Sequence, residues 1–245
     1  MGVVNKNAAS ASRRLPSALP YSRSPTQITL IWRDKRALAA IYAVFLALLG
    51  LSWAFVISRE STLSEVFLTF ALPLVIVSLF FFLQAMFVGY ENGGSIKGLF
   101  QWAWLIWPKL LAVSLPLILL AGVLLYLASR FSQIGFIFLL ILAFLPLPAI
   151  HFWLAAARYS VLGAWRNSGR LFALSLSPGA ILVYAAGLFG VAGFPYLLTQ
   201  ARLPLPGRWQ IVWFVTRLAL ALGVAVFSWL ALVQALKTKA RFPTE

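Results

Sequence analysis

Side chains able to do acid–base, nucleophilic or metal chemistry are scarce in this chain, and they stand apart from one another. The acidic residues are Asp34, Glu60, Glu65, Glu91 and Glu245, the one histidine is His151, and cysteine is absent. Without cysteine there is no thiolate nucleophile and no cysteine-ligated metal. A hydrolytic triad or a histidine–carboxylate metal centre would need partners beside His151, and the sequence places none nearby. Proton- and sodium-coupled transporters keep a carboxylate at membrane depth, where an ionisable group is too costly to hold without a use. None of the five acidic residues falls in the middle of an apolar run. The expectation is a protein with no catalytic residue, metal or cofactor.

The grouping with evident spacing is basic. In RYSVLGAWRNSGRLFALSLSP, from Arg158 to Pro178, a helix would put Tyr159, Gly163, Arg166, Asn167 and Arg170 on one face. Val161, Trp165, Ser168, Leu171, Phe172 and Ser175 would form the other, mainly apolar face. That pattern predicts a helix lying in a membrane surface, with Arg158, Arg166, Asn167 and Arg170 turned to anionic headgroups. Each basic residue at such a surface contributes on the order of 1 kcal/mol. A less polar sibling, GSIKGLFQWAWLIWPK from Gly94 to Lys109, adds Lys97. Away from these, Pro146 and Pro148 with His151 one turn later form a candidate hinge or gate, because each proline removes a backbone donor. The simpler role for His151 is a hydrogen bond between helices.

Long apolar runs must position these groups. The chain has 245 residues, 62% of them hydrophobic and 10% charged, with a mean hydropathy of +0.92; soluble domains carry charge on roughly a quarter of their residues. The predicted fold is all-α and polytopic, with six transmembrane helices at residues 37–57, 64–88, 108–128, 133–157, 179–198 and 211–236, and the two amphipathic segments as interfacial helices. Residues 1–27 contain no block of the kind a cleavable signal peptide needs and read as a flexible basic tail; 28–240 form the membrane domain and 241–245 a short C-terminal tail. Asp34 is most simply neutralised by Arg33, Lys35 and Arg36.

Six spans put both termini on one side, and charge chooses the side. One set of ends holds Lys6, Arg13, Arg14, Arg23, Arg33, Lys35 and Arg36, then Lys97 and Lys109, then Arg158, Arg166 and Arg170, then Lys237, Lys239 and Arg241. The other set holds Arg59, Arg130, Arg202 and Arg208. The positive-inside rule predicts cytosolic termini in a cell inner membrane and puts both amphipathic segments on the cytosolic face. The net charge of +15 is spread between apolar runs rather than gathered on a polar domain, which points to anionic phospholipid and away from nucleic acid.

Within the spans, small residues recur at packing intervals: Ala43, Ala47, Gly50 and Ala54; Gly179, Ala186, Gly190 and Gly193; Ala221, Ala225 and Ser228. They predict contacts among spans one, five and six. Gln84 is a candidate interhelical hydrogen bond. Trp32, Trp102, Trp104, Trp107 and Trp165 belong to one aromatic belt and Trp53, Trp209 and Trp213 to the other. An offset of 65 residues superposes Ser95, Gly98 and Phe100 on Ser160, Gly163 and Trp165, a sparse internal repeat of helix, interfacial helix, helix.

The Gly-containing, Trp- and Arg-bearing stretches ahead of spans, GSIKGLFQWAWLIW and LGAWRNSGRLFAL, and the basic end LVQALKTKAR make residues 28–240 resemble the six-helix membrane domain found ahead of some bacterial glycerophosphodiester phosphodiesterases and as stand-alone proteins. The resemblance implies a six-span membrane domain; the phosphodiesterase domain has no counterpart here, so it implies no catalysis. A second resemblance, to permease subunits of ABC exporters, rests on six spans and on QITLIWRDKR as an amphipathic lead-in, and implies a transport subunit served by a separate ATPase, since no GxxxxGK[ST] occurs. The leading expectation is a non-enzymatic accessory or scaffold protein contacting anionic lipid or other subunits of a membrane complex.

Overall fold

In a computed structural model, residues 35–57, 63–90, 95–131, 134–201 and 206–239 are described. The expectations for the two tails, for Asp34 and for Trp32 fall outside them. The described residues contain helices and no strand: α1 Lys35–Ile57, α2 Leu63–Gly89, α3 Ile96–Arg130, α4 Gly135–Phe144, α5 Pro146–Arg158, α6 Val161–Arg166, α7 Ser168–Ser175, α8 Pro178–Leu188, a π-helical turn Phe189–Gly193, α9 Phe194–Gln200 and α10 Gly207–Lys239. Six helical stretches are long and apolar enough to cross a membrane: α1, α2, α3, α4 with α5, α8 through α9, and α10. Phe70, Leu74, Leu119, Phe136 and Leu182 are each 70% exposed or more, a surface that suits lipid and not water. The chain is a multi-pass membrane protein.

Two interruptions follow from proline chemistry. Pro146 and Pro148 cannot donate to the carbonyls of Leu142 and Phe144, so the fourth span breaks at Leu145, whose N–H turns to Leu142 O at 3.2 Å. Across the break, the Tyr184 hydroxyl on α8 donates to Ala143 O at 2.6 Å. In the fifth span the Pro195 ring would clash with the carbonyl of Val191. The helix widens there instead, and Phe194 N–H reaches five residues back to Phe189 O.

Span three departs most from its expected boundaries. The stretch expected as a separate interfacial helix before span three is the first part of α3, continuous through Pro108 and Pro116 for 35 residues. That is about 52 Å at helical rise, against roughly 30 Å of hydrocarbon, so α3 tilts or runs past the bilayer core. The buried stripe Leu99, Ala103, Ile106 and Leu110 explains the continuity: it packs at the spacing of one helix face directly into Val113, Ser114 and Leu117.

Burial is concentrated toward one end of the bundle. It comprises Ala37, Leu38 and Ile41 at the start of α1, most of Phe81–Val88 at the end of α2, the stripe of α3, most of Leu147–Ala156 on α5, Ala180 and Tyr184 on α8, and Leu230 to Lys237 along the end of α10. These are the ends that carry Lys97, Arg158, Arg166, Arg170 and Lys237, here called the basic end. Along the other half of the helices, side chains are mostly exposed.

Spans five and six pack closely, as their small residues predict. A Cβ on Gly190 would sit 2.3 Å from Ser228 Oγ and 2.7 Å from Ser228 Cβ, and one on Gly187 would sit 2.9 Å from Leu232 Cβ. Span one meets the expectation only in part: α1 packs chiefly on α2 and touches α10, while Ala43, Ala47 and Gly50 are exposed. Its small residues leave room that no described helix fills.

Candidate functional site

At the basic end two short helices, α6 and α7, turn the chain between α5 and α8. Ser160, with φ −167° and ψ 170°, ends the fourth span's direction and caps α6, its Oγ accepting from Gly163 N at 3.0 Å. Asn167 then divides what the periodicity predicts as one helix. Its Nδ2 donates to Gly163 O at 3.0 Å, and its own backbone leaves helical geometry at φ −96°, ψ 16°. Ser177 caps α8 with ψ 138°, the extended value favoured before Pro178.

The underside of this corner is apolar and fixed. The Phe152 ring lies 4.6 Å from that of Trp165 and 5.5 Å from that of Phe172, centroid to centroid. Ala164 and Leu171 are fully buried. His151 joins the same underside: its Nδ1 lies 3.1 Å from Leu147 O and 3.0 Å from Ser175 Oγ, while Ser175 Oγ donates to Leu171 O at 2.8 Å. With the serine hydrogen so placed, Nδ1 carries the proton and donates. His151 therefore fastens α5 to α7. It does not line the break at Leu145 and Pro146, so the three residues grouped as a hinge separate into a kink and a fastener.

The exposed residues of the corner include its cations together with Tyr159, Leu162 and Leu176. Arg158, Arg166, Asn167 and Arg170 are all exposed, and so is Lys97 in the first turn of α3. Of these, Asn167 has a local task as the divider of α6 from α7. The residues expected on one helix are divided among the end of α5, which carries Arg158, the end of α6, which carries Arg166, the junction at Asn167, and α7, which carries Arg170. Since α3 also packs on α6, both amphipathic segments belong to one end.

The 65-residue repeat has a structural counterpart in capping. Ser95, with φ −149° and ψ 161°, caps α3 through Gly98 N at 3.1 Å, as Ser160 caps α6 through Gly163 N. Buried Leu99, Ile106 and Leu110 correspond at that offset to buried Ala164, Leu171 and Ser175. The copies diverge where Asn167 stands opposite Trp102, whose side chain offers the backbone no competing bond.

Three anchoring residues were not legible as such. Gln234 Nε2 donates to Phe87 O at 2.8 Å and Lys237 Nζ to Val88 O at 3.2 Å, so α10 caps the C-terminal end of α2. At the other end of α10, Arg217 Nη1 donates to Thr199 O at 3.1 Å and to Ala201 O, capping α9, with its guanidinium 5.7 Å from the Trp213 ring centroid. Lys237 reads as a topology-marking charge in the sequence. The usable signal is that it continues the apolar row Val226, Leu230, Val233 at intervals of four and three.

Behind the basic end lies a cavity of about 610 Å³ between the spans. Leu145 and Pro146 from the broken fourth span and Val191 from the π-helical turn border it, with Phe45, Phe80, Leu117 and Ala225 among its other walls. No group of three or more histidine, cysteine or carboxylate residues that could hold a metal occurs among the described residues.

The fold defines a helical, six-span membrane protein with burial and exposed cations gathered at one end. Compared with protein families, with curated proteins and with solved structures, the chain has no match.

Proposed function

We propose that the protein is a non-enzymatic accessory of the cell inner membrane that binds anionic phospholipid through its basic end, with both termini in the cytosol. The observation that carries this reading is the two-sided corner at α6 and α7. Arg166 and Arg170 are exposed on its upper side while Phe152, Leu171, Ser175 and His151 hold its lower side to α5. Cations fixed on a rigid underside lose little freedom on meeting a phosphate, which favours binding. The positive-inside rule supplies the orientation. In this reading the family resembled is the membrane domain that accompanies glycerophosphodiester phosphodiesterases, without their chemistry.

Charge reversal tests it. In nanodiscs of mixed phosphatidylcholine and phosphatidylglycerol, the purified protein retains phosphatidylglycerol preferentially on native mass spectrometry. Arg166→Glu with Arg170→Glu reduces that preference by roughly tenfold or more, since each cation is worth about 1 kcal/mol and reversal also adds repulsion. High salt weakens the preference of the unaltered protein in the same direction. An unchanged lipid ratio in the double variant would sink the proposal. A transport-subunit reading is favoured by one observation, the two broken spans beside a cavity at membrane depth; a stoichiometric ATPase co-purifying with the chain would put that reading first.

A further inference from the structure

The cavity contains donors that packing does not use. Gln84 and Ser114 both line it, and they are only 4% and 3% exposed. Each accepts a hydrogen bond from an indole: Trp229 Nε1 donates to Gln84 Oε1 and Trp153 Nε1 to Ser114 Oγ, both at 2.7 Å. An indole N–H only donates, which fixes the orientation of the amide: Oε1 is taken, and Nε2 keeps both hydrogens. The Ser114 hydroxyl likewise keeps its hydrogen. Ser52 and Ser175 return theirs to the carbonyl four residues back, whereas the one bond Ser114 makes among the described residues is that with Trp153. A donor left without an acceptor in apolar surroundings is unfavourable, so two in one cavity call for a partner.

We propose that the cavity binds a lipid-soluble molecule with a long apolar body and a carbonyl group, the body filling the space and the carbonyl oxygen meeting the donors of Gln84 and Ser114. The remaining wall is hydrocarbon and aromatic ring, and among the described residues no Lys, Arg or His lines it, so a phosphate or free carboxylate has no counter-charge from them. A volume of about 610 Å³ falls within the 300–1,000 Å³ common for small-molecule sites. Water alone would satisfy the donors but leave most of the wall facing it unfavourably. An acyl ester and a quinone share this chemistry. The site is separate from the basic face, so either can fail without the other.

The test uses the full-length protein in mild detergent with two photoreactive probes, a diacylglycerol carrying a diazirine in one acyl chain and a benzoquinone carrying a diazirine in a decyl tail, with labelled residues mapped by mass spectrometry. Labelling concentrates between Phe80 and Phe87 or between Leu142 and Trp153. It falls about tenfold, the equivalent of one decade in affinity, when Ala225→Phe fills the cavity. Ala121→Leu fills it from α3 should the first variant not fold. Gln84→Leu with Trp229→Phe removes the donor and its indole together, leaving no orphaned partner, and weakens labelling by a similar factor. Labelling by the acyl probe, the quinone probe or both supports the proposal and identifies the source of the carbonyl. Labelling spread over lipid-facing residues such as Phe70 and Leu119 and unchanged by cavity filling overturns it, as does loss on filling with none in the Gln84/Trp229 variant. Arg166→Glu with Arg170→Glu leaves cavity labelling intact.

Discussion

Gly190→Ala lowers the melting temperature of the detergent-solubilised protein, and Ser228→Gly in the same chain restores it. The added Cβ would sit 2.7 Å from Ser228 Cβ, which rotation about the serine side chain cannot relieve, so spans five and six must separate or shift. Overpacking of this kind costs about 1–3 kcal/mol. It matters more between membrane helices, where close backbone approach and dispersion hold the helices together in place of a hydrophobic driving force. Removing Ser228 Cβ returns the space from the other side. Gly223→Ala on α10 is the control: no atom lies within 4 Å of its Cβ position, so stability is kept or raised by the better helix former. Equal losses at Gly190 and Gly223, or no recovery with Ser228→Gly, would contradict the seam.

Lys237→Met loosens the basic end while leaving the rest of the bundle in place. Methionine keeps most of the aliphatic stem that packs in the buried row and removes the ammonium with the bonds it makes, that to Val88 O among them. A hydrogen bond from a charged donor is worth about 1.5–3 kcal/mol, and this one also opposes the negative end of the α2 dipole. The expected result is a loss of that order, with faster hydrogen exchange at the amides from Gln84 to Val88 and little change in α8. Gln234, one turn back and bonded to Phe87 O, limits the opening, so Gln234→Leu with Lys237→Met frays α2 further than either alone. Uniform loosening along every helix would contradict a local cap.

What the sequence reveals follows from which forces are local. The six spans are legible because the requirement for apolar length acts residue by residue. The Gly190 and Ser228 contact is legible because close packing needs small residues at fixed spacing on each partner. The same rule says less for span one, where Ala43, Ala47 and Gly50 have the spacing and stay exposed: a stripe states what could approach, not what does. Gln84 is legible as a polar residue in a span, but its partner Trp229 lies 145 positions away. Lys237 is not legible, because a lysine at a helix end carries the same letter whether it marks topology or caps a neighbour. The division of α6 from α7 turns on Asn167, whose amide competes with the helix only once the chain is already turning at Ser160. Pro146 and Pro148 do predict the break, while the neighbouring His151 belongs to a different contact.

The reading of the basic end as a lipid-contacting face depends on which way it faces, and the absence of cysteine makes that directly measurable. Gly169 at the basic end and Gly207 at the opposite end are both exposed with no atom within 4 Å of their Cβ positions, so a cysteine fits at either. In intact spheroplasts a membrane-impermeant maleimide labels Gly207→Cys and spares Gly169→Cys until the membrane is permeabilised. Labelling of Gly169→Cys in sealed spheroplasts, or equal labelling of both, would contradict a basic end turned to the anionic cytosolic leaflet.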